Sequence, residues 1–220
     1  EIYDNWWFML YMVAVFAIAV TYLTWLVFHT QVQRTLNIQK RELELVKKQL
    51  EMGNETVLTI ARTVDAKDVN TSQHSARVAE YSVLIGKELG FDEQKCSELK
   101  RAALLHDIGK IGIPDRILNK PERLTDEEYK EMKSHVVKGG EILKSFTLID
   151  NIEEGALYHH ERYDGKGYVH GLKGEEIPLN ARIIGIADAF DAMTANRVYR
   201  KKLDMDFVLG ELKKGRGTQF

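Results

Sequence analysis

The chain has 220 residues, with 31 lysines and arginines against 33 aspartates and glutamates and a formal net charge of −2. That balance excludes a broad basic field for nucleic acid polymers. The single cysteine, Cys96, excludes an intramolecular disulfide framework and reads as a packed or surface thiol.

Trp6 to Phe28 is a run of 23 residues without a charged side chain. About 20 residues at about 1.5 Å rise cover a bilayer core of about 30 Å, so this run predicts a transmembrane helix. Trp6, Trp7 and Tyr11 at one end and Trp25 near the other fit interfacial aromatic belts. A cleaved signal peptide is disfavoured, because Glu1 and Asp4 stand where a basic n-region would be and no small-residue cleavage site ends the run. Arg34, Lys40, Arg41, Lys47 and Lys48 come after the span, and this excess of positive charge places the carboxyl-terminal side of the chain in the cytoplasm. Residue 1 is not Met, and the expectation is a longer protein with an extracytoplasmic, sensory portion upstream.

Beyond the span, apolar residues recur at Val32, Leu36, Leu43, Val46, Leu50, Val57, Ile60 and Val64, with Gln39 and Gly53 as interruptions. Alternating four- and three-residue steps predict a parallel coiled coil and a homodimer, with Glu42 at a g position facing Lys47 at the next e. An amphipathic helix packed on its own domain is the competing reading, and past about residue 55 the pattern must also serve a domain core. About 165 residues remain, enough for a substantial core. Helices are expected near 55–66, 72–89, 94–106, 126–145, 148–159, 180–195 and 205–214, with Thr125 and Glu128 forming a capping box. No alternating strand pattern competes, so the fold class is all-α. The expected division is a transmembrane segment over 1–30, a coiled-coil linker over 31–54 and a helical domain over 55–220.

Within that domain His106 and Asp107 stand side by side in the string HDIGK, with His74 upstream and His135, His159, His160 and Asp188 downstream. Imidazole and carboxylate together suit divalent transition metals, and a carboxylate can bridge two ions where a neutral imidazole nitrogen cannot. The gaps are too long for a zinc finger, so the ligands must come from separate segments of a preformed scaffold. Leu99, Ala102, Ala103 and His106 fall at helical spacing, which puts the pair at the C-terminal end of a buried helix. Gly109 and Gly112 allow close backbone approach just beyond it.

These residues carry a family resemblance over 74–200. It runs through His74-Ser75-Ala76-Arg77-Val78, His106-Asp107-Ile108-Gly109-Lys110, Leu124-Thr125-Asp126-Glu127-Glu128, and His135 with Gly139. It continues through HHERYDGKGY at 159–168, Gly171-Leu172, and Ala187-Asp188-Ala189-Phe190-Asp191-Ala192 to Tyr199-Arg200. The chain resembles the HD-GYP subgroup of the HD phosphohydrolases. The resemblance implies an all-α domain that holds two or three metal ions, iron or manganese by preference, and hydrolyses cyclic di-GMP. It implies that His74, His106, Asp107 and Asp188 hold one ion, and that Asp107, His135, His159 and His160 hold the second. Asp107 is then the bridge.

Two positions depart from the family pattern. Where some members use a Glu for a third metal this chain has Asn70, so a two-metal centre is expected. Gly167-Tyr168 is followed by Val169 rather than Pro, which removes a constraint on φ and leaves a freer loop without touching a ligand. His170 is expected to be an exposed loop residue. The run ending at Phe220 resembles the stretch before a further helical segment, so the domain is expected to continue.

Phosphodiester hydrolysis poses a charge problem, since an anion must accept a hydroxide while the leaving oxygen gathers charge. Two cations can supply the hydroxide and neutralise the phosphoryl oxygens. Asp107 and Lys110 are the expected catalytic residues. Lys110, Lys166, Arg197 and Arg200 are the candidate substrate contacts, ammonium as point charge and guanidinium as bidentate fork; for Lys166 a solvated loop lysine is the plain alternative. Asp164 and Asp191 are expected to organise loops or orient ligands. Three functions stay open: a membrane-anchored cyclic di-GMP phosphodiesterase giving linear pGpG or GMP, a phosphohydrolase of another nucleotide, and a non-catalytic binding module.

Overall fold

The computed structural model describes residues 2–68, 73–146, 150–195 and 203–220. Asn70, Arg197 and Arg200 lie outside the described residues. Two compact units are present, Glu1–Asn54 and Glu55–Phe220.

From Ile2 onward the first unit is part of a single helix, α1, which runs Ile2–Lys67. Its apolar residues, from Trp6 to Phe28, are exposed, and by length and composition this helix is long and apolar enough to cross a membrane. The threonine hydroxyls inside the apolar run are satisfied internally: Thr21 donates to the Ile18 carbonyl and Thr24 to that of Thr21, each at 2.8 Å. An unpaired hydroxyl in apolar surroundings is costly, and back-bonding to the preceding turn satisfies these two. Val32, Leu36, Leu43, Val46 and Leu50 are also exposed.

The second unit begins with the last turns of α1. Val57, Ala61 and Val64 are buried there, whereas Ile60 is exposed. The apolar seam read from the sequence therefore divides past residue 55, with Val57 and Val64 serving the domain core. The core continues through α2 (His74–Glu88), α3 (Glu93–Leu104), α6 (His135–Leu143), α7 (Glu153–Tyr158) and α8 (Leu179–Thr194), with α4 (Asp115–Leu118), α5 (Asp126–Lys133) and α9 (Met205–Gly215) around it. Val78, Leu99, Ala103, Ala156, Ile184 and Ala187 lie at its centre, α2 packing on α3 and α8, and α6 on α7. Among the described residues there is no strand.

Local chemistry sets the helix ends. Asp92 accepts from the Lys95 amide at 2.8 Å and starts α3, and Asp204 accepts from Asp206 at 2.9 Å and starts α9. Thr125 and Glu128 close the expected capping box on α5. The helix expected over 126–145 is two helices broken at Ser134. The Ser134 hydroxyl donates to the Glu131 carbonyl at 2.6 Å and its amide turns to the same carbonyl at 3.0 Å. A three-residue step replaces the four-residue one, and His135 opens a new helix. Cys96 is buried.

Candidate metal and phosphate site

The seven candidate ligands come from five places. His74 opens α2 and His135 opens α6, His106 and Asp107 follow α3, His159 and His160 follow α7, and Asp188 sits within α8. Close backbone packing brings these elements together. A Cβ on Gly109 would fall on the His135 carbonyl, and one on Gly185 would stand 2.7 Å from that of His159. Only glycine lets the turn after Asp107 meet α6, and α8 meet the end of α7, this closely.

Asp107 stands between two groups of imidazoles. Its Oδ2 is 3.3 Å from His106 Nε2 and 3.8 Å from His74 Nε2; its Oδ1 is 3.4 Å from His135 Nε2 and 3.9 Å from His159 Nε2. Asp188 Oδ1 lies 3.3 Å from His74 Nε2. Ligand-type atoms fall within 4.8 Å of one another in the set His74, His106 and Asp188, and again in His135, His159 and His160.

The imidazoles are aimed by their other nitrogens. Nδ1 of His106 donates to the Ala103 carbonyl at 2.7 Å, His135 to Met132 at 2.8 Å and His159 to Gly155 at 2.8 Å. A carbonyl only accepts, so the proton sits on Nδ1 and the Nε2 lone pair of a neutral ring points inward. His74 Nδ1 bonds Asp191 at 2.7 Å, and Asp191 is held in turn by Arg77 at 2.6 Å. The Nε2 atoms of His106, His135 and His159 are buried with no hydrogen-bond partner. Buried polar atoms normally find a partner, and an inward lone pair in a mixed imidazole and carboxylate set fits a divalent transition metal.

Electrostatics divide the cluster. Burial opposes protonation of His74, but hydrogen bonds to Asp188 and Asp191 outweigh it and push the ring up to about 9. His106 is raised too, Asp107 prevailing over burial. Burial holds His135 below its ordinary value and pushes His160 down to about 4; His159 lies well below, through burial and the neighbouring imidazoles. Against the opposing effect of burial, Asp107 is kept ionised by Lys110 and His106, and Asp188 by its bond to His74.

Lys110 Nζ reaches Asp107 Oδ2 at 2.7 Å and Asp68 Oδ2 at 3.2 Å. Burial would discharge this ammonium, but the two carboxylates hold its pKa above the ordinary value. A cavity of about 910 Å³ opens beside the cluster, lined by Lys110, Tyr129, His160, Lys166, Tyr168 and Arg182 among others, a size in the range of small-molecule sites. Lys166 is exposed on its rim. Asp164 organises the loop before it, accepting from Arg162 and from the Lys166 amide at 3.0 Å, and His170 is exposed. Asp68, buried beside Lys110, has no counterpart in the sequence reading, because a lone Asp at a helix end gives no spacing signal.

A family model described as HD domain matches residues 59–220. The chain is similar to the cyclic di-GMP phosphodiesterase response regulator of Xanthomonas campestris, 41% identical over 191 residues, covering 86% of this chain and 50% of the relative. A cyclic di-GMP phosphodiesterase of Thermotoga maritima is 45% identical over 148 residues, 66% of this chain and 40% of its own. The 3'3'-cGAMP-specific phosphodiesterase 3 of Vibrio cholerae is 41% identical over 153 residues, 70% of this chain and 33% of its own. The chain thus spans half or less of the length of these relatives. Among solved structures, a cyclic GMP-AMP specific phosphodiesterase of V. cholerae has a TM-score of 0.56 at 19% identity, over 74% of this chain and 45% of that one. The HD domain of the L. monocytogenes phosphodiesterase PgpH, in complex with cyclic-di-AMP, has a TM-score of 0.53 at 21% identity, over 72% and 82%. At these identities the structures speak for the fold.

Proposed function

Since this chain belongs to the HD domain family and is of its HD-GYP type, we propose that it is a membrane-anchored, metal-dependent phosphodiesterase that hydrolyses cyclic di-GMP to linear pGpG or GMP. The observation that carries this reading is Asp107, whose two oxygens each face a separate imidazole group beside a cavity holding the Lys110 ammonium. His74, His106, Asp107 and Asp188 would hold one ion, and Asp107, His135, His159 and His160 the other, iron or manganese. Such ions would lower the pKa of a bound water and neutralise phosphoryl oxygens. Lys110 adds a fixed positive charge at the cavity wall for a phosphate, and its pairing with Asp68 keeps it there. Lys166, Arg197 and Arg200 are the further phosphate contacts of this reading, and Asp164 shapes the loop that presents Lys166.

The amino-terminal part is read as a span over 1–30 and a coiled-coil linker over 31–54, leaving 55–220 as the catalytic domain on the cytoplasmic side. The exposed apolar positions Val32, Leu36, Leu43, Val46 and Leu50 support a homodimer through the linker, and an upstream extracytoplasmic portion would supply the signal. A monomer by sedimentation in mild detergent would contradict the dimer.

Identity of 41% to a 3'3'-cGAMP-specific enzyme supports a second reading, in which the preferred substrate is the mixed cyclic dinucleotide. The deciding experiment supplies cyclic di-GMP, 3'3'-cGAMP, cyclic di-AMP, pGpG and GTP to protein reconstituted with iron or manganese under reducing conditions. Fastest turnover of cyclic di-GMP is expected; fastest turnover of 3'3'-cGAMP selects the second reading. No turnover of any cyclic dinucleotide by metal-loaded protein would defeat both.

A further inference from the structure

Lys67 ends α1, and its side chain reaches chiefly one turn. Its Nζ donates to the carbonyls of Lys110 at 3.2 Å, Ile111 at 2.8 Å and Ile113 at 2.6 Å, and lies 3.4 Å from Asp115 Oδ1. An ammonium has three protons, and three carbonyls converge on this one. They belong to the end of the 3-10 turn Ile108–Gly112 and the residue after it, where the Lys110 carbonyl also accepts from the Ile113 amide at 3.1 Å and a cation is favoured at the carbonyl end. The hold is reciprocated, since Asn119 Nδ2 donates to the Lys67 carbonyl at 3.0 Å. Asp68, the next residue, takes the Lys110 ammonium at 3.2 Å. Two consecutive residues thus grip Lys110 at its carbonyl and at its side-chain end. The Lys110 amide in turn bonds the Asp107 carbonyl at 2.9 Å, so the same turn sets the aim of Asp107.

We propose that Lys67 is a positioning residue for the site: by gathering the carbonyls of Lys110, Ile111 and Ile113 it fixes the turn that aims Asp107 and Lys110, while Asp68 retains the Lys110 ammonium once the oxygens of Asp107 are engaged by metal. A tether concerned only with stability could have ended on any loop. This one ends on the turn that carries both residues. Its geometry calls for lysine, because a planar guanidinium cannot direct three protons to carbonyls that converge on a point. The inference rests on the phosphodiesterase reading for its effect on turnover, but the state of the turn is measurable without any reaction.

The test compares the 220-residue parent, Lys67→Met, Lys67→Arg and Asn119→Ala in detergent micelles. Amide hydrogen exchange is followed at Lys110 and Ile113, whose N–H groups bond within the turn at 2.9 and 3.1 Å, with α8 as internal reference. Metal content and the kcat and KM for cyclic di-GMP are measured on the same samples. Lys67→Met is expected to keep its helicity and metal, to exchange these two amides about tenfold faster or more, and to lose about 10- to 100-fold in kcat with KM changed less than about threefold, as misplacement by about an ångström does. Lys67→Arg should recover part of both, and Asn119→Ala should show a smaller version. Unchanged exchange in Lys67→Met, or faster exchange with parental kcat, would overturn the proposal. If Lys67→Met instead loses helicity, metal and activity together, Asn119→Ala decides by the same two measurements. Should the parent hydrolyse no cyclic dinucleotide, the functional reading fails while the exchange arm still decides whether Lys67 holds the turn.

Discussion

The two groups of side chains on either side of Asp107 are built from different materials. On one side His74 and His106 sit with Asp188, and Asp191 and Arg77 stand behind His74. On the other, His135, His159 and His160 form a trio of imidazoles, the first two of them buried. The first group brings its own negative charge and so attracts protons when no metal competes for it. The second has almost none, and burial keeps its rings neutral. One carboxylate, Asp107, belongs to both. Two ions held here would be bound for different reasons, one by charge neutralisation and the other by neutral nitrogen donors.

The most drastic way to break this comparison is Asp107→Ala, which removes the residue common to both groups. Hydrolysis of cyclic di-GMP is expected to fall by about a thousandfold or more, equivalent to about 4 kcal/mol of lost transition-state stabilisation, with helicity retained by circular dichroism. Parental turnover in this variant would mean that the two groups do not act as one centre.

Asp191→Asn sharpens the comparison by touching one side. Asp191 orients His74 through Nδ1 and contacts no other candidate ligand among the described residues. Metal affinity at the carboxylate-bearing group should weaken by about 10- to 100-fold, while affinity at the imidazole trio stays at the parental value. Calorimetric titration of metal-free protein with Mn²⁺ separates these outcomes, and equal weakening of both sites would erase the distinction.

A smaller effect should follow pH. In the metal-free protein His74 is raised to about 9 by Asp188 and Asp191 against burial, so it is protonated at neutral pH, whereas His160 is depressed to about 4 by burial and is neutral there. A ligand nitrogen must lose its proton to bind metal. Affinity at the His74 group should therefore rise from pH 6.5 to pH 8, by up to about tenfold per pH unit for each proton displaced, while affinity at the His160 group changes little over the same window. Two sites with the same pH slope would contradict the assignment.

Much of this site was legible because its residues are chemically conspicuous. Histidines beside aspartates at long intervals call for a scaffold that gathers them, and His74, His106, Asp107, His135, His159, His160 and Asp188 do lie together. The all-α fold was legible from helix formers and from caps such as Thr125 with Glu128. What escaped the sequence was decided by competition between nearly equal local options or by reach across the fold. Ser134 breaks a helix by using a carbonyl that a four-residue step would have left to the backbone ladder. A domain core past residue 55 was expected, and Val57 and Val64 are buried in it, but which seam positions turn inward, with Ile60 left exposed, shows only in the fold. Lys67 and Asp68 look like an ordinary charged helix end, and only the folded chain shows that both converge on Lys110.

Counting metal tests the account most directly. Elemental analysis of protein reconstituted with iron or manganese under reducing conditions should give two ions per chain in the parent and one in each of His74→Ala and His135→Ala, since each substitution empties one side of Asp107. Three tightly held ions in the parent, none, or an unchanged count in either variant would contradict a two-metal centre divided at Asp107.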